Sequence, residues 1–175
     1  MKPGLPELGY WNIRGLGQGI RFQLIYQGVE FNDNKYKFIE GENFRDEWLK
    51  KKQTLGLEFP NLPYFVDGSL KMTESMAIHQ YIADKWDPTL LGNNPKERAK
   101  VMMVGNVIGE LKGAVTVPHY TSGSKEESFS KIPTHLPPIL KFMGKNKFLC
   151  TNEKPTWVDF YFFELVNAMR WVSDD

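Results

Sequence analysis

Two short segments carry the residue types best suited to chemistry. Residues 9–11, Gly9-Tyr10-Trp11, place a phenol and an indole at the end of a short apolar strand, just before a glycine-rich turn. Residues 59–64 set two prolines around the start of another strand, where the backbone is left without a ladder partner. A phenol donates a hydrogen bond, and an unpaired strand edge binds extended peptides. Together these segments indicate a site that holds a small peptide and polarises one of its atoms.

The composition argues against nucleic acid or a membrane as the partner. The 175 residues are 41% hydrophobic with a net charge of +1, enough for one large domain or two small ones. No apolar run approaches the roughly 20 residues of a membrane helix, and the polar, proline-rich start does not resemble a signal peptide. The single cysteine, Cys150, excludes an intrachain disulfide and a CxxC redox pair. We expect a soluble cytoplasmic protein in a reducing compartment.

The first half of the chain has the pattern of an α/β unit. A strand, a turn marked by Gly15, Gly17 and Gly19, a helix and a second strand form a βαβ unit, which favours parallel strands. A short amphipathic helix, a hairpin joined by Asp67-Gly68 and a longer helix follow. The predicted elements are strand 8–11, helix 20–27, strand 29–37, helix 44–53, strands 62–66 and 69–72, and helix 74–86.

Strands end at a break rich in proline, glycine and asparagine. We therefore predict a first domain of residues 1–86, a linker of residues 87–94 and an all-helical second domain of residues 95–175. Its predicted helices span 96–117, 126–143 with breaks at Pro133 and Pro137-Pro138, and a segment that begins at Thr156. Thr156 and Asp159 have the spacing of a capping box. Gly105, Gly109 and Gly113 in the first helix indicate close packing against another backbone.

The motifs at residues 8–11, 13–16, 55–64, 75–78, 81–83 and 96–99 together resemble those of the cytosolic glutathione transferases, most closely the mu class. The resemblance runs nearly end to end. It implies a thioredoxin-like domain of βαβ-α-ββα order followed by an all-helical domain. It also implies a homodimer that uses glutathione as co-substrate, binds no separate cofactor and conjugates glutathione to small hydrophobic electrophiles.

The resemblance assigns thiolate stabilisation to Tyr10. A thiol has a pKa of about 8.5, and lowering it by about two units requires roughly 2.7 kcal/mol of preferential thiolate stabilisation. One hydrogen bond to a charged acceptor contributes about 1.5–3 kcal/mol. A single phenol O–H can therefore supply most of this shift. From the residues alone, a core tyrosine at a strand end would be the favoured interpretation of Tyr10.

Further residues match the family's glutathione site. The resemblance implies that the glycine carboxylate of glutathione is bound by Arg45, Trp48 and Lys52. It also implies that the cysteinyl backbone pairs with Leu62, which precedes a cis Pro63. It further implies that Glu74 binds the γ-glutamyl ammonium and that Ser75, at a helix start, binds the γ-glutamyl carboxylate. Lys52 could also be a solvated lysine, and Ser75 an ordinary N-cap. The remaining expected glutathione contacts are Trp11, Leu16, Asn61 and Glu110, the last reaching the partner's glutathione.

Two other positions match the family outside this site. Tyr120 falls where mu enzymes keep a tyrosine over the electrophile. Phe59 matches the aromatic that inserts into the partner's helical domain, although a buried core phenylalanine is an equal alternative. The histidines His79, His119 and His135 lack the spacing of metal ligands, so we expect no metal.

The chain departs from the family where it stops, at Asp175. The family continues with further helices, so we expect a C-terminally truncated, incomplete helical domain. The alternative function is a non-catalytic glutathione-binding or structural protein on the same fold. A thioredoxin-type reductase is disfavoured, because the site position holds Tyr10 and the only cysteine, Cys150, lies outside the first domain.

Overall fold

The computed structural model describes residues 2–37, 45–121 and 124–173. Packing divides the chain between Asp87 and Pro88 into two compact units. In the first unit the elements are β1 Glu7–Trp11, α1 Gly15–Tyr26, β2 Asn32–Tyr36, α2 Asp46–Lys52, β3 Tyr64–Asp67, β4 Leu70–Thr73 and α3 Ser75–Trp86. In the second they are a 3₁₀ turn Pro88–Leu91, α4 Pro95–Thr121, α5 Lys125–Ser130, α6 Ile132–Met143 and α7 Trp157–Ser173.

The first unit is built on a four-stranded mixed sheet with the order β2-β1-β3-β4. β1 pairs with β2 in parallel, while β1 with β3 and β3 with β4 are antiparallel. The parallel pair is joined through α1, as a βαβ crossover requires. The antiparallel pair β3–β4 is a hairpin closed by Gly68 and Ser69, with Gly68 at a φ of +60°. The thioredoxin-like order predicted from the sequence is confirmed.

Two buried clusters pack against this sheet. Leu8 of β1 and Phe65 of β3 pack with apolar residues of α1 and α3 on one face. Tyr36 and Tyr64 pack with Trp48 of α2 in the second cluster. β1 contributes to both clusters, since Leu8 belongs to the first and Tyr10 to the second, with Trp11 packed against the second from the opposite face of the strand.

Some predicted boundaries in the first unit are wrong. The turn expected at Gly15, Gly17 and Gly19 is the beginning of α1, which starts five residues earlier than predicted. β2 starts at Asn32, because Val29 and Phe31 pack against the first cluster before the strand begins. The helix predicted for residues 44–53 spans Asp46–Lys52, and Phe44 lies outside the described residues.

In the second unit all the regular structure of the described residues is helical, as expected. The prediction that the glycines of its first helix allow a backbone to approach is wrong for Gly105 and Gly113. A Cβ at Gly105 would lie 2.4 Å from the Trp157 ring, so this glycine makes room for an indole, whereas Gly113 has nothing within 4 Å. The break predicted at Pro133 is confirmed, since the helical segment divides at Lys131 and Pro133 stands in the first turn of α6. The break predicted at Pro137 and Pro138 is wrong, because both lie inside α6.

The predicted cap at the start of α7 is confirmed. Asp159 accepts hydrogen bonds from the backbone N–H of Thr156 at 2.7 Å and from its hydroxyl at 2.9 Å. Its other carboxylate oxygen accepts from the backbone N–H of Leu149 at 2.8 Å. One carboxylate therefore fixes both the helix start and the loop before it. Of the helices in the described residues, none is long and apolar enough to cross a bilayer.

Candidate functional site

Tyr10 lies near the end of β1 with 6% of its surface exposed. Its hydroxyl oxygen accepts a hydrogen bond from the backbone N–H of Leu16 at 3.0 Å. This bond uses a lone pair of the oxygen and not the O–H proton. An accepted bond also polarises the hydroxyl and strengthens the bond that it donates. The first turn of α1 thus holds the phenol in a fixed position.

Two glycines make this arrangement possible. A Cβ at Gly15 would lie 2.6 Å from the Tyr10 hydroxyl, and a Cβ at Gly17 would lie 2.6 Å from the ring. Gly15 also has a φ of +40°, which a residue with a side chain rarely adopts. Gly15 and Gly17, which the sequence pattern indicates as a turn, therefore leave the space that the Tyr10 side chain occupies.

A buried arginine anchors the loop between β1 and α1. The Nε of Arg21 donates to both carboxylate oxygens of Asp33 on β2, at 3.0 and 3.1 Å. Its Nη1 donates to the backbone carbonyl of Ile13 at 3.1 Å. Because Ile13 lies in the loop that leads from Tyr10 to Leu16, this ion pair also supports the position of the phenol. The pairing stabilises a charge that burial would otherwise disfavour.

Five of the predicted glutathione contacts meet in the second cluster. Tyr10, Trp48 and Leu62 are buried there, and Trp11 and Leu16 pack against them. They come from β1, α1, α2 and the segment before β3, so only the fold brings them together. The cluster gives the phenol an apolar surrounding, in which electrostatic interactions are stronger than in water.

The Leu62–Pro63 peptide bond is cis, as predicted. The pairing of β1 with β3 ends at Gly9 and Tyr64, so that Leu62 lies beyond the paired part of the sheet. Its side chain is buried in the cluster. The Leu62 backbone is therefore placed where an extended peptide could add to the sheet.

Glu74 and Ser75 lie where β4 leads into α3. Glu74 has a φ of +69°, the one non-glycine residue with a positive φ in the described part of the chain. Strained backbone of this kind clusters at functional sites. Its carboxylate accepts a hydrogen bond from the Asn61 amide at 3.4 Å, so three predicted contacts lie together.

The N-terminus of α3 is available for an anion. The N-cap position is occupied by Glu74, which makes no side-chain capping bond, and Ser75 is the first helical residue. The alternative that Ser75 is the N-cap is therefore wrong. The first N–H groups of a helix and its dipole attract a carboxylate.

The predicted clamp residues lie at the two ends and in the middle of α2. Arg45 occupies the N-cap position, Trp48 is buried and Lys52 is the last, half-buried residue. Phe59 is 74% exposed, so its alternative as a core residue is wrong.

The remaining predicted residues lie on α4 in the second unit. Glu110 is exposed on that helix. Tyr120 falls in its last turn, and its side chain, like that of His119, lies outside the described residues. Within the described residues no group of three or more histidine, cysteine and acidic side chains could hold a metal. Burial raises the pKa of the Cys150 thiol to about 11, which keeps it in the unreactive form.

Sequence reasoning missed a polar group beneath α2. Glu7, Asn34, Tyr36 and Tyr64 are joined there by hydrogen bonds. The three residues bonded to Tyr64 lie 28 to 57 positions away from it along the chain. The sequence shows only that two tyrosines and an asparagine fall in strands; the strand register is needed to show that their side chains meet.

The fold and the site define a class: a thioredoxin-like unit with a phenol at the end of β1, a cis-proline segment before β3 and an uncapped α3 N-terminus, followed by helices. The family model for the glutathione S-transferase N-terminal domain matches residues 6–84. The class-mu 26 kDa isozyme 7 of Fasciola hepatica is 35% identical over 170 residues, 95% of this chain and 75% of that protein. A glutathione S-transferase of Dermatophagoides pteronyssinus is 37% identical over 91% of this chain and 73% of its own.

Solved structures agree with these relatives. The crystal structure of the glutathione S-transferase Blo t 8 matches with a TM-score of 0.82 at 32% identity, over 95% of this chain and 78% of that one. The chain belongs to the glutathione S-transferase family.

Proposed function

We propose that the protein conjugates glutathione to hydrophobic electrophiles, with Tyr10 stabilising the thiolate. The observation that carries the proposal is the buried phenol fixed by the Leu16 N–H within the cluster that contains Trp11, Trp48 and Leu62. A donor held in advance loses little entropy when the thiolate forms, which is how preorganised donors stabilise developing charge. The relatives named above are called glutathione S-transferases, which supports the same reaction.

The other contacts follow the peptide from end to end. Leu62 pairs with the cysteinyl backbone, Ser75 and the α3 N-terminus bind the γ-glutamyl carboxylate, and Glu74 binds the ammonium. Asn61 supports Glu74 through their hydrogen bond. Arg45, Trp48 and Lys52 clamp the glycine carboxylate, and Tyr120 contacts the electrophile.

The experiment is conjugation of glutathione to a chlorodinitrobenzene substrate by the purified chain and by Tyr10→Phe. Losing one hydrogen bond to a charged acceptor, about 1.5–3 kcal/mol, reduces turnover roughly tenfold to 150-fold. Glutathione binding, measured by calorimetry, is retained. Tyr26→Phe is the matched control, since Tyr26 is half exposed and lies outside the cluster. Unchanged turnover in Tyr10→Phe would refute the role of the phenol.

The non-catalytic alternative gives a different result. A folded wild-type chain that binds glutathione, yet conjugates it to none of several electrophiles, would be a binding protein on this fold. Activity that falls in Tyr10→Phe excludes that alternative.

We also propose assignment to the mu class and a homodimer. The first is supported by relatives called class-mu at 35–38% identity. The second is supported by the exposure of Phe59, which inserts into the partner's helical domain, with Glu110 reaching the partner's glutathione. A cytoplasmic location is part of this proposal, since a single cysteine fits a reducing compartment. Domain bounds of 1–86 and 95–175 around a linker of 87–94 are supported by the division of the packing at Asp87.

A further inference from the structure

Four polar side chains from three strands meet in the cluster beneath α2. The hydroxyl of Tyr64 donates to a carboxylate oxygen of Glu7 at 2.5 Å. The side-chain amide of Asn34 donates to the Tyr64 hydroxyl at 2.9 Å and to Glu7 at 3.1 Å. The hydroxyls of Tyr36 and Tyr64 lie 3.0 Å apart. Tyr64 is fully buried and Tyr36 nearly so, whereas Glu7 and Asn34 are partly buried at the edge of the group.

The direction of each bond follows from the groups involved. An ionised carboxylate only accepts, so Tyr64 uses its single proton on Glu7. The hydroxyl of Tyr36 must then donate to the Tyr64 oxygen, which also accepts from Asn34. The Tyr64 oxygen thus donates one bond and accepts two, its full capacity. In a buried, fully satisfied network, loss of one member leaves others unpaired at a cost above that of a single bond.

The rings of the two tyrosines form the surface on which Trp48 lies. The indole stacks on Tyr64 with centroids 6.1 Å apart and planes inclined by 20°. It meets Tyr36 edge to face at 5.4 Å. On its other side, Tyr36 contacts Trp11 edge to face at 6.5 Å. One tyrosine therefore touches two of the expected glutathione contacts.

Trp48 in turn determines where α2 lies. Among the seven residues of this helix, Trp48 alone is buried, and no side chain caps the N-terminus of the helix. A second anchor of the helix is the Glu47 carboxylate, which accepts a hydrogen bond from the backbone N–H of Lys37 at 2.8 Å. A helix of two turns is not stable by itself in water. The positions of Arg45 and Lys52, at its two ends, thus depend on how the indole is seated.

We infer that Glu7, Asn34, Tyr36 and Tyr64 form a hydrogen-bonded platform that positions Trp48, and through α2 the clamp on the glycine carboxylate. This inference rests on the proposed function, since it assumes that the clamp binds glutathione. The four are positioning residues, and Trp48 is the residue that they hold. Burial raises the pKa of both phenols, with the nearby Glu7 charge adding to the effect, so the donors persist at neutral pH.

The test compares glutathione with γ-glutamylcysteine, which lacks the glycine and its carboxylate. The ratio of their dissociation constants measures what the clamp contributes. In Tyr64→Phe we expect this ratio to fall about fivefold to tenfold, through weaker glutathione binding, with γ-glutamylcysteine binding unchanged. Turnover at saturating glutathione is also unchanged, so that KM for glutathione rises and kcat does not. General destabilisation would weaken both ligands alike and leave the ratio constant.

Tyr81→Phe is the matched control. Its hydroxyl also donates to a carboxylate, that of Asp67 at 2.7 Å, but its ring packs against the other cluster. This variant removes a comparable bond from the same unit and should leave the ratio at the wild-type value. If Tyr64→Phe does not fold, Tyr36→Phe and Glu7→Gln test the platform with smaller expected changes, because each removes fewer bonds or only a charge.

The outcomes separate the two proposals. If wild type binds glutathione and prefers it to γ-glutamylcysteine, but Tyr64→Phe, Tyr36→Phe and Glu7→Gln keep the full preference, the platform is refuted and the proposed function stands. A wild-type chain without any preference would overturn the platform too, since there would be no clamp to position. If wild type does not bind glutathione at all, the proposed function fails and the platform with it.

Discussion

Replacing Gly9 by alanine tests the packing on which the site depends. A Cβ at Gly9 would lie 2.1 Å from two carbon atoms of the Tyr64 ring. Carbon atoms pack at about 3.5–4.0 Å, so the ring or the strand must move by more than an ångström. The ring cannot move cheaply, because Tyr64 is fully buried and its hydroxyl is bound to Glu7, Asn34 and Tyr36.

Two opposing effects determine how much Gly9→Ala changes the free energy of unfolding. Overpacking of a core costs typically about 1–3 kcal/mol, and a contact this short from a fixed ring belongs at the upper end. Alanine in place of glycine returns about 0.5–1 kcal/mol, because the unfolded chain loses less freedom. We expect Gly9→Ala to lower the free energy of unfolding by about 2 kcal/mol. It should also weaken glutathione binding, since Tyr64 supports Trp48.

The assay is equilibrium unfolding in guanidinium chloride, compared at constant m value. Gly113→Ala is the control, because a Cβ there has nothing within 4 Å and the residue is helical. That variant should be about 1 kcal/mol more stable than wild type. In a Tyr64→Leu background the penalty of Gly9→Ala should shrink toward zero. A Gly9→Ala protein as stable as wild type, or a penalty that persists in that background, would refute the reasoning.

Three further predictions concern other parts of the chain. Burial lowers the pKa of Lys112 to about 8, so between pH 7 and pH 10 the unfolded chain binds more protons than the folded one. As the pH rises across this range, wild type should therefore gain roughly 2–3 kcal/mol of stability relative to Lys112→Met in denaturant titrations; a constant difference would contradict the lowered pKa. Asp159→Ala should cost about 1–3 kcal/mol by thermal or denaturant unfolding, because the N–H groups of Leu149 and Thr156 lose their acceptor. An Asp159→Ala variant as stable as wild type would show that water replaces the carboxylate. Phe59→Ser should shift a dimer toward monomer in analytical ultracentrifugation, and an unchanged distribution would exclude its insertion into a partner.

Elements with local signals were predictable from the sequence. The hairpin follows from the turn at Gly68, and the start of α7 follows from the spacing of Thr156 and Asp159. The cis bond before Pro63 was implied by the resemblance. For the hairpin and the start of α7 the determining residues are within a few positions of the feature, so no knowledge of the tertiary structure is needed.

Features that depend on distant residues were not predictable in the same way. Gly15 and Gly17 were interpreted as a turn, because glycine usually marks one. Their reason for being glycine is the Tyr10 ring, which reaches the first turn of α1. The positive φ of Glu74 is a second example, since nothing in the residue type announces it. Tertiary packing determines both the glycines beside Tyr10 and the φ of Glu74, whereas sequence patterns reflect only interactions between residues close in the chain.

The alternation of β1 explains how one short strand can serve two parts of the reaction. Tyr10 meets the first turn of α1, through Gly15 and Gly17. Gly9, one position earlier, carries the Tyr64 ring on the opposite face. A shift of one residue in the register would exchange these faces and place a glycine where the phenol is needed. The parallel pairing with β2 and the antiparallel pairing with β3 fix that register from both sides. The same pairing therefore places the proposed thiolate donor, Tyr10, on one face and the proposed support of the peptide clamp, Tyr64, on the other. For this reason we expect substitutions on the first face to change kcat and those on the second to change KM for glutathione.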